Sequence, residues 1–267
     1  MAKKIGDSRP AKSRAKSGTA LVPVAKAGAL VRIEQEGGGA MFRQGDVAMV
    51  PGRIHSLGGR EVVVDAAYYV GADAAARAAR LGNADKLAWR DAATGLECIM
   101  IRDDRDGFLR GFVGVEPEHP LYGFEHEAVP PDLNIEVHGG LTYSAICQSG
   151  PSPQPRLVRE ARSICHVHVT ELRAPVAEAT DHRPAHDGAW WFGFDCNHLY
   201  DQVPGRLGDR ARFLADETGT EFRDEGYVYE QIVDLAAQLH AIAEGRPKPE
   251  RTGASPPPLG LDPRKAR

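Results

Sequence analysis

Short β-type runs that arrive one after another, with few helical stretches between them, restrict this chain more than any other feature. Leu30-Val31-Arg32-Ile33, Asp46-Val47-Ala48-Met49-Val50 and Glu61-Val62-Val63-Val64 are such runs. Gly37-Gly38-Gly39, Pro51-Gly52 and Gly58-Gly59 separate them, as expected of hairpin and loop punctuation. Leu96-Glu97-Cys98-Ile99-Met100-Ile101-Arg102 and Phe108-Leu109-Arg110-Gly111-Phe112-Val113-Gly114-Val115 flank the turn Asp103-Asp104-Arg105-Asp106-Gly107 and read as a further hairpin. Residues 134–137, 141–147, 164–170 and 190–194 read as more strands, and 148–156 as a surface loop. A doubly wound parallel sheet needs regularly alternating strand and helix, and that alternation is missing.

Two helical signals stand out. Residues 72–81 are alanine-rich, with Asp73 suited to the positive end of a helix dipole. In 225–243, Tyr227, Val228, Ile232, Leu235, Ala236, Leu239 and Ile242 fall at three- and four-residue steps. Gly245 and Pro247 mark the end of that helix. The expected fold class is therefore α+β. A largely antiparallel sheet carries a long C-terminal helix packed on it, plus a small N-terminal β module with a helix. The boundaries are a disordered basic tail over 1–20, the small β-rich module over 28–81, the main domain over 86–245 and a disordered Pro-rich basic tail over 246–267.

Charge separates the same parts. Residues 1–20 carry a net +5 and residues 246–267 a net +4; taking both from the chain's −4 leaves −13 on 21–245. An acidic body disfavours general nucleic-acid binding. The tails suit weak, non-specific nucleic-acid contact through phosphates, or serve only as solubilising ends. Cys98, Cys147, Cys165 and Cys196 form no CxxC pair, which argues against a zinc ribbon. The basic N-terminus is followed by no apolar signal region, and no run approaches a membrane span. These features lead to the expectation of a cytoplasmic protein with reduced thiols and no membrane partner.

Two stretches concentrate chemistry. In Glu136-Val137-His138-Gly139-Gly140-Leu141-Thr142-Tyr143-Ser144, alternation puts Glu136 and His138 on one face of a strand, and Thr142 and Ser144 on a shared face of the following strand with Tyr143 opposite, so that the two strands line one cleft. The Gly pair permits a bend and close approach of a ligand. Trp190-Trp191-Phe192-Gly193-Phe194 is an apolar strand that gives way abruptly to Asp195-Cys196-Asn197-His198-Leu199-Tyr200-Asp201. If 195–201 turns helical, Asp195, His198 and Asp201 share a face. With His138 they form a set of nitrogen and oxygen donors suited to zinc, manganese or iron. The alternative is local: Asp195 caps the turn and the others hydrogen-bond nearby. Tyr122, Trp190 and Trp191 can stack on a base or sugar, or fill the core. Cys196 can serve as a nucleophile or as packing, and His166 and His168 as ligands or as a solvated face.

The sequence is also similar to a family of uncharacterised phage and prophage-type proteins. The likeness runs over about 86–243 through Trp89, Gly95-Leu96-x-Cys98, Gly111-Phe112-Val113-Gly114-Val115, His119-Pro120-Leu121-Tyr122-Gly123, Val137-His138-Gly139-Gly140-Leu141-Thr142-Tyr143, Trp191-Phe192-Gly193-Phe194-Asp195-Cys196, His198, Asp201 and Tyr227-Val228-x-x-Gln231. It departs from the family at Leu199-Tyr200, where small residues are expected. The resemblance implies a mobile-element context and no particular reaction.

P-loop, GxGxxG, HExxH and GxSxG motifs are absent, which removes support for Walker-type, dinucleotide-binding and α/β-hydrolase chemistry. Two functions remain. In one, Glu136, His138, Asp195 and His198 act as acid/base or metal-supporting groups on a small polar molecule, phosphorylated or nucleotide-like. Thr142, Tyr143, Tyr122 and Trp191 bind that ligand, and His138, Asp195, His198 and Asp201 hold a divalent metal that assists hydrolysis. In the other, the same cleft sequesters a small molecule or a protein partner without turnover.

Overall fold

The computed structural model describes residues 29–35, 39–147, 156–165, 188–206 and 221–257. Within them lie β1 (Val31–Glu34), β2 (Ala40–Gln44), β3 (Val47–Leu57), β4 (Arg60–Val70), α1 (Ala74–Ala79), β5 (Lys86–Arg90), β6 (Glu97–Arg102), β7 (Leu109–Val115), β8 (Tyr143–Ile146), α2 (Arg156–Arg162), β9 (Trp190–Asp195) and α3 (Glu225–Ala243). The nine strands form one sheet in the order β1-β2-β3-β4-β5-β6-β7-β9-β8. Every pairing is antiparallel. The expected antiparallel α+β architecture is present, and it is mostly sheet.

Among the described residues, those within 28–81 do not make a sheet of their own. Ala66 to Tyr68 of β4 pair with Lys86 to Ala88 of β5, which continues the ladder into the rest of the chain. The physical reason is an edge: β4 left uncovered would expose unpaired backbone groups, and β5 satisfies them. The β3–β4 hairpin turns at Gly58-Gly59, both with positive φ (58° and 80°), which glycine adopts without penalty. Gly58 also lies against Gly226 at the start of α3, where a Cβ on Gly58 would come within 2.6 Å of the Gly226 Cα.

Strand alternation divides the core between two faces. Val113, Val115, Phe192 and Phe194 join the cluster covered by Val228, Ile232, Leu235, Ala236 and Leu239 of α3. Phe112 and Trp191 join the opposite side with Ala88, Ile99, Cys147 and Cys165. Burial of each large apolar side chain from α3 contributes on the order of 1.5–3 kcal/mol. The Asp224 side chain accepts a hydrogen bond from the Tyr227 amide at 2.8 Å and caps α3, a contact of about 1 kcal/mol.

Several expectations change. Residues 134–137 form no strand; they follow a short 3-10 turn, Pro131–Leu133, that ends in left-handed Asn134 (φ 47°). Helix α2 begins at the end of the stretch read as loop. Cys147 and Cys165 form a disulfide with a Cα–Cα distance of 5.1 Å, so the expectation of four reduced thiols is corrected. The sequence offers no short spacing to announce it: the tertiary path brings the end of β8 and the residues after α2 together. Residues 246–257 are not a loose tail but pack along α3 through specific hydrogen bonds, among them Gln231 Nε2 to the Ala254 carbonyl at 2.7 Å. The N-terminal tail 1–20, His166, His168 and residues 258–267 lie outside the described residues. No helix among the described residues is long and apolar enough to cross a membrane.

Candidate metal centre

Three segments far apart in sequence converge at one end of the sheet, on the face covered by α3. The His138-Gly139-Gly140 loop brings an imidazole beside the Phe194 ring, with centroids 6.4 Å apart. The turn after β9 brings His198, Tyr200 and Asp201. The residues just before α3 and its first turn bring Arg223 and Tyr227. One donor atom from each of His138, His198 and Asp201 lies within 4.8 Å of the others, and all three residues are buried. Such a group can hold a metal ion.

Asp201 is the hub. Its Oδ2 accepts from His138 Nε2 at 2.8 Å, from the His198 amide at 2.9 Å, and sits 3.2 Å from His198 Nδ1. Its Oδ1 accepts from Arg223 Nε at 3.1 Å. Burial acts to raise the pKa of this carboxyl, but the hydrogen bonds from His138 and His198 outweigh it and hold it well below the usual carboxylate range. Burial lowers the pKa of His138 more than Asp201 raises it, which favours a neutral imidazole. His138 Nδ1 meets the Tyr227 hydroxyl at 2.9 Å. With Nε2–H donating to Asp201, Nδ1 is the acceptor and Tyr227 the donor. Burial is the largest influence on the Tyr227 phenol and pushes it up, so it keeps its proton for that bond. Arg223 lies over the Tyr227 ring, 4.8 Å from its centroid.

The glycine pair has a definite task. Gly139 has φ 62°, and a Cβ there would fall 2.1 Å from His198 Cε1 and 2.3 Å from its Nε2. Glycine therefore lets the second imidazole lie directly against the loop that carries the first. His198 in turn stacks on Tyr200, with rings 5.3 Å apart and 9° from parallel.

Asp195 does not join this group. Residues 196–201 form turns rather than a helix, and β9 continues through Asp195. Alternation places Phe194 on the α3 face, so Asp195 points to the other side. There it pairs with Arg110 Nε at 2.5 Å and accepts from Thr142 Oγ1 at 3.0 Å. Glu136 is also elsewhere: its carboxylate binds Lys248 at 2.9 Å near the surface, and the lysine ammonium holds its pKa below the ordinary value.

The proposed ligand-binding side chains divide similarly. Thr142 belongs to the Arg110–Asp195 pair. Tyr143 packs edge-on against Phe112 at 5.3 Å. Tyr122 lies near Trp190 and donates to the Gly188 carbonyl at 2.9 Å. Trp191 is fully buried in the core, because its neighbours on β9 alternate between two covered faces. Cys196 is buried, and burial pushes its thiol well above the usual range, unlike an activated nucleophile.

Arg223 and Tyr227 bind Asp201 and His138, and sequence reasoning does not assign them to the site. In the sequence Tyr227 belongs to the apolar stripe of α3 and to the motif Tyr227-Val228-x-x-Gln231, and neither marks it as a partner of His138. A second stripe on that helix, Tyr227, Gln231, Asp234 and Gln238, has the same spacing, and the last three are buried despite being polar. No family model, curated protein or solved structure matches this chain.

Proposed function

We propose that His138, His198 and Asp201 bind one divalent cation, zinc, manganese or iron, and that the chain is a metal-assisted hydrolase of a small polar molecule, phosphorylated or nucleotide-like. The resemblance of its motifs to phage and prophage-type proteins supports reading it as an accessory protein of a mobile element. The observation that carries the reading is the convergence of two imidazoles and one carboxylate, with ligand atoms within 4.8 Å, from two distant segments. Three protein donors with a further position for water are the usual make-up of a catalytic zinc site, and such an ion lowers the pKa of bound water to about 7. The chain's own residues orient the ligands. Tyr227 fixes the His138 ring from its far nitrogen, and Arg223 holds the second oxygen of Asp201. Such outer partners tune the basicity of the ligands.

A second reading, a non-enzymatic module that sequesters a small molecule or partner, has its own support. The Asp201 carboxylate is already engaged by His138, His198 and Arg223, and its side chain is 0% exposed. In that reading the network rigidifies a binding protein. Elemental mass spectrometry of tag-free protein decides between them, alongside the double variant His138→Ala/His198→Ala. Near-stoichiometric metal that is lost in the variant supports the hydrolase and directs screening to phosphoesters and nucleotides. Metal-free protein that stays metal-free after incubation with zinc, manganese and iron(II) supports the binding module.

A further inference from the structure

The segment that delivers His138 has an unusual backbone. Asn134, Gly139 and Gly140 all have positive φ (47°, 62° and 76°), and none of residues 134–140 belongs to a strand or helix. Backbone amides and carbonyls in such a stretch need partners from outside it. Here α3 and the segment after it provide them. The Glu136 amide donates to Gln238 Oε1 at 2.8 Å, and Gln238 Nε2 donates back to the Glu136 carbonyl at 2.9 Å. Arg251 Nη1 donates to that same carbonyl at 2.8 Å. Lys248 Nζ donates to the Asn134 carbonyl at 2.9 Å while its charge faces the Glu136 carboxylate.

The C-terminal segment is itself tied to the helix. Arg251 Nη2 contacts Gln231 Oε1 at 2.9 Å and Asp234 Oδ2 at 3.1 Å. Asp234 Oδ1 accepts from the Thr252 amide and hydroxyl at 2.9 and 3.0 Å, and Asp234 Oδ2 from the Gly253 amide at 3.2 Å. One polar stripe of α3 thus holds His138 through Tyr227, the backbone two residues earlier through Gln238, and the C-terminal segment through Gln231 and Asp234.

The geometry points to residues 246–254 acting as a strap, with Lys248 and Arg251, together with Gln238, as positioning residues that hold the 134–138 backbone so that His138 meets Asp201 and His198. These residues touch no ligand atom; they act through the loop. The strap deepens the metal-centre reading, on which its effect on zinc affinity rests, but its effect on the loop does not depend on that reading. A segment that merely docks on the surface would leave the loop ordered when its contacts are removed.

The test compares wild type with Arg251→Ala and with Lys248→Ala, each as the full chain. Lys248 is partly exposed, so its variant keeps the question answerable if Arg251→Ala fails to fold. Hydrogen–deuterium exchange is followed peptide by peptide, and zinc affinity is measured by competition with a chromophoric chelator. The strap predicts exchange about ten-fold faster in 134–140, the scale of one lost hydrogen bond, with β5–β7 unchanged. It also predicts zinc binding weakened about ten-fold, the low end for lost outer-shell partners. Faster exchange confined to 246–254, with 134–140 as protected as in wild type, overturns the strap. If wild type binds no zinc while 134–140 still loosens in the variants, the strap stands and the metal reading falls.

Discussion

His138 and Asp201, 63 residues apart in sequence, share a 2.8 Å hydrogen bond at a point where neither side chain is exposed. The bond joins the loop after a short 3-10 turn to the turn after β9, and Arg223 completes it from just before α3. A buried ionic network of this kind is weak evidence for net stability, but removing one member leaves the others unpaired in a dry site.

That asymmetry separates the two aspartates. Asp201→Asn should abolish metal uptake and destabilise the fold by roughly 3–5 kcal/mol, because Arg223 and His138 lose their buried partner. Asp195→Asn should leave metal content unchanged and cost about 1 kcal/mol or less, since its Arg110 partner is partly exposed to solvent. Elemental analysis and urea denaturation of both variants check this. Metal loss in Asp195→Asn with retention in Asp201→Asn would reverse the assignment.

The same network sets a dependence on pH. The folded-state pKa of Asp201 lies below its unfolded value, as does that of His138. In each case the unfolded chain binds more protons in the window between the two values, so stability rises with pH there. The contribution of His138 is present above about pH 6.5 and declines as pH falls below it; that of Asp201 is present above about pH 4 and is lost on further acidification. Thermal unfolding in EDTA from pH 4 to 8 should therefore show a falling melting temperature already between pH 6.5 and 5. His138→Gln should flatten that part of the profile relative to wild type, and an unchanged slope there would count against the assignment.

Gly139 should tolerate no side chain. Gly139→Ala adds left-handed strain of about 1–3 kcal/mol and a clash with the His198 ring. Gly52 offers the control: it has φ 60° and nothing within 4 Å of a built Cβ. Gly52→Ala should cost only the backbone strain and leave metal binding intact. Equal losses of stability in the two variants would show that the His198 contact is unimportant.

The disulfide makes a prediction about thiols. Alkylation of oxidised, denatured protein should modify Cys98 and Cys196 and spare Cys147 and Cys165 until a reductant is added. Cys147→Ser/Cys165→Ser should lower stability by about 3 kcal/mol, the scale expected for a closed loop of this length. Labelling of all four cysteines without reductant would refute the pairing.

Elements whose signals are local were legible along the chain. The period of α3 was legible because apolar residues at three- and four-residue steps need no partner to be recognised. The β6–β7 hairpin was legible because an Asp- and Gly-rich turn separates two β-type runs, and the antiparallel class followed from strands that arrive without intervening helices. His138, His198 and Asp201 were legible as candidates by their chemistry, imidazoles and a carboxylate beside a glycine pair and at a strand end, with local hydrogen bonding as the open alternative. Which residues meet follows from the folded path of the chain. The parity of β9 sends Asp195 to the face opposite His138, and that parity depends on where the strand stops. The pairing of β4 with β5 merged the N-terminal strands into the common sheet. The polar stripe of α3, the Cys147–Cys165 bond and the C-terminal segment bound to Glu136 and Asp234 all join positions far apart along the chain. Such contacts depend on the path of the backbone between them, and no local propensity encodes it.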